Sequence, residues 1–495
     1  MMPAAREGTA GAKPDDFDLV VIGAGPAGLA GAIAGGILGA RVALVERSSA
    51  LGGALINTGT IPSKTLRETA LALSGYQSRK LYGVDLSLRR GARVADFLYH
   101  ERHVKTTARA NVAERLVRLG ITRITGSARF LDSTRVEVVP TSPRGGRPRK
   151  LHARFVLIAT GSRPTRPREF PFEHPQVWDS DEILELERLP RQLAVIGAGV
   201  IGSEYASMFA ALGAKVDLVD GRETLLPFLD REIARVLTRA MTTLGIRFRW
   251  RERVTACRAP ARGPIRLTLT SGASLRADAV LVAAGRRAVV EDLRLEAAGL
   301  STDERGHLHV DARFQTQVPN ILAAGDVVGF PALASVSAEQ ARLAVSTALG
   351  HHLKEVLDPL FPSGIYTIPE VSTVGATEEE LRAQGVDYVV GRARYADNAR
   401  GAIIGDSAGL LKLIFRREDM KLLGVHMLGE QATELVHVGL MILLHGGGAD
   451  ALHRACFNVP TLATLYKDAA YRAQIARDLP SAAARRAMRQ QKSDE

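Results

Sequence analysis

The stretch that decides the fold is Leu19-Val20-Val21-Ile22-Gly23-Ala24-Gly25-Pro26-Ala27-Gly28, which continues through an Ala-rich segment into Arg41-Val42-Ala43-Leu44-Val45-Glu46. Phe17 to Ile22 is a short apolar run rich in β-branched residues and reads as a strand. The glycines follow at once, and the Ala-rich segment after them has helical character, so the local order is strand, tight turn, helix. Arg41 to Val45 is a second apolar run, and it ends on Glu46, 46 − 23 = 23 residues after the first glycine. This is a complete dinucleotide-binding fingerprint. Gly23 permits the tight turn, Gly25 lets the backbone approach a pyrophosphate, and Gly28 lets the helix pack closely on the strand. The helix N-terminus offers unpaired N–H groups and a positive dipole end, while Glu46 is placed to accept from a ribose hydroxyl. A glycine pattern alone is weak evidence; the strand before it, the helix after it and the acid at the right distance carry the reading.

The same unit returns at an offset of 193 − 19 = 174 residues, as Leu193 to Ile196, Gly197-Ala198-Gly199-Val200-Ile201-Gly202, a helix through Leu212 and a strand ending at Asp220. Comparing Leu19–Glu46 with Leu193–Asp220, fourteen of 28 positions are identical. Two such units in one chain imply two dinucleotides bound at once, one of which can be a tightly held flavin and the other a diffusing nicotinamide.

Length and composition set the frame. At 495 residues the chain is too long for one core, and the usual size of roughly 100–200 residues per domain suggests about three. The longest apolar runs fall short of the roughly 18 uncharged residues a spanning helix needs, and residues 1–16 lack the apolar core of a secretory signal and read as a disordered tail. The sequence therefore predicts a cytoplasmic protein with no membrane segment. The net charge is +12, carried mostly by scattered arginines with small clusters in Arg144–Lys150 and Arg485–Lys492. No nucleic-acid motif accompanies them, so no nucleic-acid partner is expected. The two cysteines, Cys257 and Cys456, are far apart and read as small core residues rather than a disulfide framework, and no metal site is expected.

Between the two units lies Gly52-Gly53-Ala54-Leu55-Ile56-Asn57-Thr58-Gly59-Thr60-Ile61-Pro62-Ser63-Lys64. In frame it resembles the GGxCxxxGCxPSK signature of the flavoprotein disulfide reductases, the class I pyridine nucleotide-disulfide oxidoreductases, in which the two cysteines form the redox disulfide beside the flavin. Here those positions hold Leu55 and Thr60. Without thiolates there is no nucleophile for a substrate disulfide and no dithiol to hold an electron pair. The family also carries HPTxxE near its C-terminus as an acid–base pair, and the matching run here is Val459-Pro460-Thr461-Leu462-Ala463-Thr464. Valine cannot take a proton and threonine cannot tune a histidine, so the thiol relay and its proton relay are absent together.

The resemblance implies an α/β fold with two Rossmann-like dinucleotide-binding domains, one for FAD and one for NAD(P), and a C-terminal α+β dimerisation domain. The expected boundaries are 17–160 and 285–355 for the two parts of the FAD domain, 161–284 for the NAD(P) domain and 356–475 for the dimerisation domain, with a basic tail over 476–495. Because the first unit leads into the Gly52–Lys64 stretch, the first site is expected to hold FAD and the second NAD or NADP. FAD contacts are then expected at Gly23, Gly25, Gly28, Glu46, Gly52, Gly53, Thr58, Lys64, Thr160 and Gly161 of the Ala159-Thr160-Gly161-Ser162 turn, Asp326 of Ala323-Ala324-Gly325-Asp326, and the helix opening at Ala334. In the family the Gly-Asp carboxylate accepts from the ribityl chain, and that helix points its N-terminus at the pyrimidine edge, favouring the anionic reduced ring. NAD(P) contacts are expected at Gly197, Gly199, Gly202, Glu204, Asp220, Arg222 and Gly285. Lys64 and Glu204 match a pair that lies beside the flavin N5 in the family, and they are the expected catalytic residues; a lysine held by a carboxylate keeps its charge and favours the reduced flavin.

Within the family, Gly59–Lys64, Gly197–Gly202 with Glu204-Tyr205-Ala206-Ser207, Lys215–Leu218, Ser363–Glu370 and Phe457-Asn458 before Pro460-Thr461 resemble the soluble, FAD-containing NAD(P) transhydrogenases. That resemblance runs from about Phe17 to Ala473 and implies hydride exchange between NADPH and NAD in a homodimer or larger assembly. Two positions depart from that group, which commonly keeps a cysteine where Leu55 stands and a glutamate where Thr464 stands. The 2′-position is open: Asp220 favours ribose hydroxyls and repels a 2′-phosphate, while Arg222 can receive one. Two other readings share these motifs, an NAD(P)H oxidase or diaphorase that passes electrons to oxygen or a quinone, and a catalytically silent flavoprotein acting as an interaction subunit.

Overall fold

The computed structural model describes residues 15–75, 94–142, 146–352 and 354–478. The basic cluster at 485–492 and most of the N-terminal tail lie outside the described residues, as do residues 143–145. The chain forms two compact units, one drawn from Met1–Thr65, Tyr99–Thr165 and Gly285–Asp358, the other from Leu66–Leu98, Arg166–Ala284 and Pro359–Glu495.

The first unit is built on a seven-stranded sheet. Its path runs Thr122–Thr125, Val42–Glu46, Asp16–Ile22, Arg149–Ile158, Arg135–Val139, Ser127–Phe130, and Ile321–Ala323 pairs with Arg149–Ile158 as well. The strand Asp16–Ile22 starts one residue earlier than the tail boundary expected, and it lies parallel to both neighbours, with Leu19 beside Val42 and Phe155. Side chains alternate across a strand, and here both faces are covered. Phe17, Val20, Ile22, Ala43 and Val45 enter one core, while Leu19, Val21, Val42 and Leu44 enter another with the helices Pro26–Ile37 and Ala334–Ala348. Each fully buried aliphatic side chain contributes about 1.5–3 kcal/mol, so the unbroken apolar run is what a parallel sheet covered on both faces requires.

The second unit repeats the plan. A five-stranded, all-parallel sheet runs Ile246–Trp250, Lys215–Asp220, Gln192–Ile196, Ala279–Val282, Val177–Asp179. Leu193, Val195, Val216 and Leu218 enter one core and Ala194, Val280 and Val282 another, and an antiparallel meander, Val254–Arg258, Ile265–Leu269 and Ser274–Ala277, covers the latter. The C-terminal region of this unit is a five-stranded antiparallel sheet, Ser363–Ile365, Val371–Gly375, Leu422–Leu428, Leu410–Arg416 and Tyr388–Arg394. Helices Ala432–Leu444 and Thr464–Asp478 close its core around Tyr466, Phe415 and Val425. The fold is therefore α/β with two Rossmann-like units and an α+β C-terminal region. Among the described residues no helix is long and apolar enough to cross a membrane.

The cysteines depart from the expectation of core residues. Cys257 is half-buried on the meander and Cys456 is exposed just beyond the short helix Ala449–Arg454; both are free thiols. Burial pushes the Cys257 thiol up to about 11.

Candidate active site

The two glycine turns have the same construction. At the first, Gly23 sits at φ +101, and a Cβ there would lie 2.3 Å from the Ala159 carbonyl oxygen; a Cβ on Gly28 would lie 1.8 Å from the Gly23 oxygen. At the second, Gly197 sits at φ +102 with the Ala283 oxygen at 2.4 Å from such a Cβ, and the Gly202 position is 1.9 Å from the Gly197 oxygen. These four glycines are required by close backbone packing. Gly25 and Gly199 differ: each is the N-cap of its helix, at φ −77 and −76, and among the described residues nothing lies within 4 Å of its Cβ position. Open space in front of a helix N-terminus, with no acidic residue in the first turn of either helix, is what an approaching pyrophosphate needs.

The acids that close the two units reach back to these turns. Glu46 accepts the Ala24 N–H at 2.7 Å and the Ser48 N–H at 2.9 Å. Asp220 accepts the Ala198 N–H at 2.6 Å, the equivalent bond in the repeat. They differ in compensation. Arg222 grips Asp220 through Nε at 2.8 Å, Nη2 at 2.7 Å and its backbone N–H at 2.8 Å. Burial works against ionisation of Asp220, but the bonds from Arg222 and Ala198 outweigh it and hold its carboxyl below the usual range. Glu46 has no arginine partner among the described residues. The first acid thus presents an uncompensated charge suited to ribose hydroxyls, while the second is neutralised by a guanidinium that a 2′-phosphate also attracts.

In the first unit the Gly52–Lys64 stretch becomes two helices, Gly53–Asn57 and Thr60–Ser74. Gly52 at φ +107 donates its N–H to the Ala24 oxygen at 2.9 Å, and a Cβ on Gly53 would come within 2.7 Å of the Gly25 Cα. This stretch is therefore locked to the first glycine turn by backbone contact. Asn57 accepts from Arg109 Nε at 2.7 Å and donates to the Leu51 oxygen at 3.1 Å, Thr58 caps the short helix, and Lys64 Nζ donates to Ser63 Oγ at 3.3 Å. Leu55 and Thr60 take ordinary helical positions in this intact frame.

Further along the first unit, Thr160 Oγ1 is buried with no hydrogen-bond partner among the described residues. It lines a cleft with Gly23, Glu46, Gly126, Ser127 and Ala128. An orphaned hydroxyl, a glycine turn and a carboxylate around one cleft fit the adenosine end of FAD. Gly126–Ala128 escaped the sequence reading because they face the cleft from a strand edge with no distinctive side chain. Gly161 sits at φ +68. Asp326 accepts from Ser162 Oγ at 2.5 Å, and Arg286 donates to the same Oγ and to the Ser162 carbonyl, both at 2.9 Å. Ser162 and Arg286 are further residues the sequence reading missed. Helix Ala334–Ala348 begins without a side-chain cap, and its Gln340 accepts the Gly325 N–H at 2.8 Å, which ties the Gly-Asp turn to this helix.

In the second unit Glu204 is buried and accepts the Tyr366 N–H at 2.9 Å, and Ser207 on the same helix accepts the Ile368 N–H at 3.1 Å. Gly285, at φ +96, falls in the first unit, where its carbonyl accepts from the Thr165 N–H at 2.9 Å. The Val459–Thr464 run holds no acid–base pair: Val459 is exposed, Thr461 donates to the Asn458 oxygen at 2.7 Å, and Thr464 donates to the Thr461 oxygen at 2.9 Å while accepting from Asn398 at 2.7 Å.

Comparison with known proteins agrees with this architecture. The family described as "Pyridine nucleotide-disulphide oxidoreductase" matches residues 17–341, and its dimerisation domain matches residues 361–470. The soluble pyridine nucleotide transhydrogenase of Mycobacterium tuberculosis (strain ATCC 25177 / H37Ra) is 46% identical over 455 residues, covering 92% of this chain and 96% of the relative. The protein of the same name from Marinomonas sp. (strain MWYL1) is 40% identical, covering 92% and 97%. Among solved structures, the HOCl-induced flavoprotein disulfide reductase RclA from Escherichia coli is similar with a TM-score of 0.83 at 28% identity, covering 92% of this chain and 99% of that one. LpdA from Mycobacterium tuberculosis gives a TM-score of 0.84 at 25% identity with the same coverage.

Proposed function

The chain belongs to the pyridine nucleotide-disulphide oxidoreductase family, and from that premise we propose that it is an FAD-dependent oxidoreductase that moves hydride between NADPH and NAD, as a soluble pyridine nucleotide transhydrogenase. The observation that carries the reading is the intact flavin cradle around Leu55 and Thr60: the frame of a disulfide reductase is kept and its thiols are gone. When bound, FAD supplies the hydride chemistry, taking a hydride from one nicotinamide and giving it to another. The protein's part is binding, orientation and charge.

In this assignment residues 17–160 and 285–355 serve FAD, 161–284 serve NAD(P), and 356–475 serve dimerisation. The turn Gly23-Gly25-Gly28 receives the FAD pyrophosphate at the helix N-terminus, Glu46 the adenosine ribose and Thr160 the adenosine end. Asp326, with one oxygen already held by Ser162, presents the other to the ribityl chain. Gly52, Gly53 and Thr58 form the cradle, Gly161 turns the chain away from it, and the helix at Ala334 brings a positive dipole end to the reduced ring. The turn Gly197-Gly199-Gly202 receives the nicotinamide dinucleotide, and Gly285 is a further NAD(P) contact of this reading. Lys64 and Glu204 are the catalytic residues of this reading, the lysine favouring added negative charge on the reduced flavin. The Asp220–Arg222 pair is a compromise that serves both NAD and NADP, since the guanidinium offsets the repulsion between Asp220 and a 2′-phosphate. The protein works in the cytoplasm as a homodimer.

Anaerobic turnover tests this reading. Given NADPH and an NAD analogue without oxygen, the purified protein reduces the analogue catalytically. Turnover that requires oxygen or a quinone would replace the proposal with an oxidase or diaphorase, and a flavin that neither nucleotide bleaches would make the protein catalytically silent.

A further inference from the structure

The second unit contains a cavity of about 990 Å³ that the proposed hydride chemistry does not use. It begins three residues beyond Asp220, at Glu223, and its lining includes neither Asp220 nor Arg222. The helix Arg231–Thr243 and the short helix Glu378–Ala383 with Arg382 both line it, as does Trp250, which is stacked on Phe248 with ring centroids 4.9 Å apart.

The floor is charged and self-contained. Lys412 is buried, with Nζ 2.8 Å from both carboxylate oxygens of Asp230 and 3.1 Å from Glu232, and it also pairs with Glu378; Arg392 chelates Glu232 at 2.8 and 2.9 Å. These groups satisfy one another. The wall does not. Arg231, Arg235 and Arg239 stand at i, i+4 and i+8 on the helix face that lines the cavity, a row of like charges spanning about 12 Å. Arg231 has only a loose pair with Glu379 at 3.8 Å, Arg235 Nε donates to the Arg231 carbonyl at 3.3 Å, and neither Arg235 nor Arg239 has an acidic partner among the described residues. Like charges at this spacing repel one another, and an anion lying along the row relieves that repulsion at several arginines at once. A linear chain of phosphates carries charges repeated along a line, and arginine forks match phosphate oxygens.

We propose that this cavity is an anion site separate from the nicotinamide site, one that binds a linear polyphosphate, either free or as the phosphate chain of a nucleotide. Arg235 and Arg239 supply the principal contacts, and Trp250 flanks the position a nucleotide base would take.

The test uses the flavin-loaded protein at low ionic strength, titrated with sodium tripolyphosphate and with ATP while tryptophan fluorescence and the thermal midpoint are followed, with sulfate at matched ionic strength as reference. Both probes are expected to bind and to raise the midpoint more than sulfate does. The variant R235Q/R239Q should weaken binding by at least about tenfold, and Thr238→Glu, which places a carboxylate between the two arginines, should do the same. Both variants keep KM for NADPH and NADH within about twofold. Tighter binding of ATP than of tripolyphosphate assigns the site to a nucleotide, and equal binding assigns it to the phosphate chain alone. The proposal is overturned if tripolyphosphate does no more than sulfate, if both variants bind as the parent does, or if the probes are displaced by NADPH and lost in R222A while R235Q/R239Q still binds them.

Discussion

Replacing Gly199 with alanine adds one methyl group at the mouth of the second glycine turn, where none of the described residues lies within 4 Å and the backbone is at φ −76, ψ −175. Alanine adopts that conformation freely, so the change costs the fold less than about 1 kcal/mol. In the complex the same methyl stands where the pyrophosphate must approach the helix N-terminus. Losing one charge-assisted hydrogen bond there costs about 1.5–3 kcal/mol, roughly 10- to 150-fold in affinity. The contrasting variant is Gly202→Ala, whose Cβ would sit 1.9 Å from the Gly197 oxygen, so the turn itself must move and stability falls together with binding. The assay is anaerobic stopped-flow bleaching of the flavin against NADPH concentration, with the thermal midpoint measured on the same samples. G199A is expected to keep its flavin and its midpoint while its apparent Kd for NADPH rises by the stated factor. Unchanged affinity in G199A would refute the idea that the pyrophosphate lies on this turn, and a midpoint as low as that of G202A would show the loss to be structural.

Three further outcomes follow from the same geometry. Arg222→Ala removes the guanidinium held at 2.7–2.8 Å from Asp220; the KM for NADPH should rise about tenfold or more relative to that for NADH, and an equal rise for both would place Arg222 outside 2′-phosphate recognition. Lys412→Met leaves Asp230, Glu232 and Glu378 facing one another, at a cost of about 3–5 kcal/mol at neutral pH by denaturant titration. Burial works against the charges of Asp230 and Glu232, but Lys412 and Arg392 outweigh it and lower both carboxyls, so their stabilisation is present above the ordinary values of 3.8 and 4.5 and is lost as pH falls through the lower folded values. Burial likewise opposes the charge of Lys412, but its carboxylate partners raise it above 10.5, so its share disappears only at more alkaline pH. The penalty of K412M should therefore shrink on acidification below about pH 4, and a penalty independent of pH would mean that packing, not charge, is what the lysine supplies. Finally, a thiol reagent at mildly alkaline pH should modify exposed Cys456 and spare Cys257, whose thiol burial pushes up to about 11, with hydride transfer retained; loss of activity on modification would implicate a thiol.

Much of this site was legible because glycine turns leave a strong trace. Gly23, Gly28, Gly197 and Gly202 sit where any side chain would meet backbone oxygen, and that steric demand fixes their spacing whatever surrounds them. The strands beside them were legible for the same reason, since a strand buried on both faces must be an unbroken apolar run. Other features rest on contacts between distant residues, which a linear reading cannot see. Lys412 meets carboxylates at 230, 232 and 378, and Ser162 joins Asp326 to Arg286. The ambiguity at Asp220 was visible as composition, but only the fold shows Arg222 turned onto that carboxylate. The cysteines misled because residue type suggested burial, whereas Cys456 follows the end of a short helix and is left exposed.

The central claim is that electrons stay on the flavin and pass directly between nicotinamides. Counting the electrons needed to bleach the flavin tests it most directly. In an anaerobic titration of the C257S/C456S variant with NADPH, the account predicts full bleaching with one hydride equivalent per flavin and full recovery on adding NAD. A second equivalent consumed before bleaching is complete, or recovery only when oxygen is admitted, would contradict it.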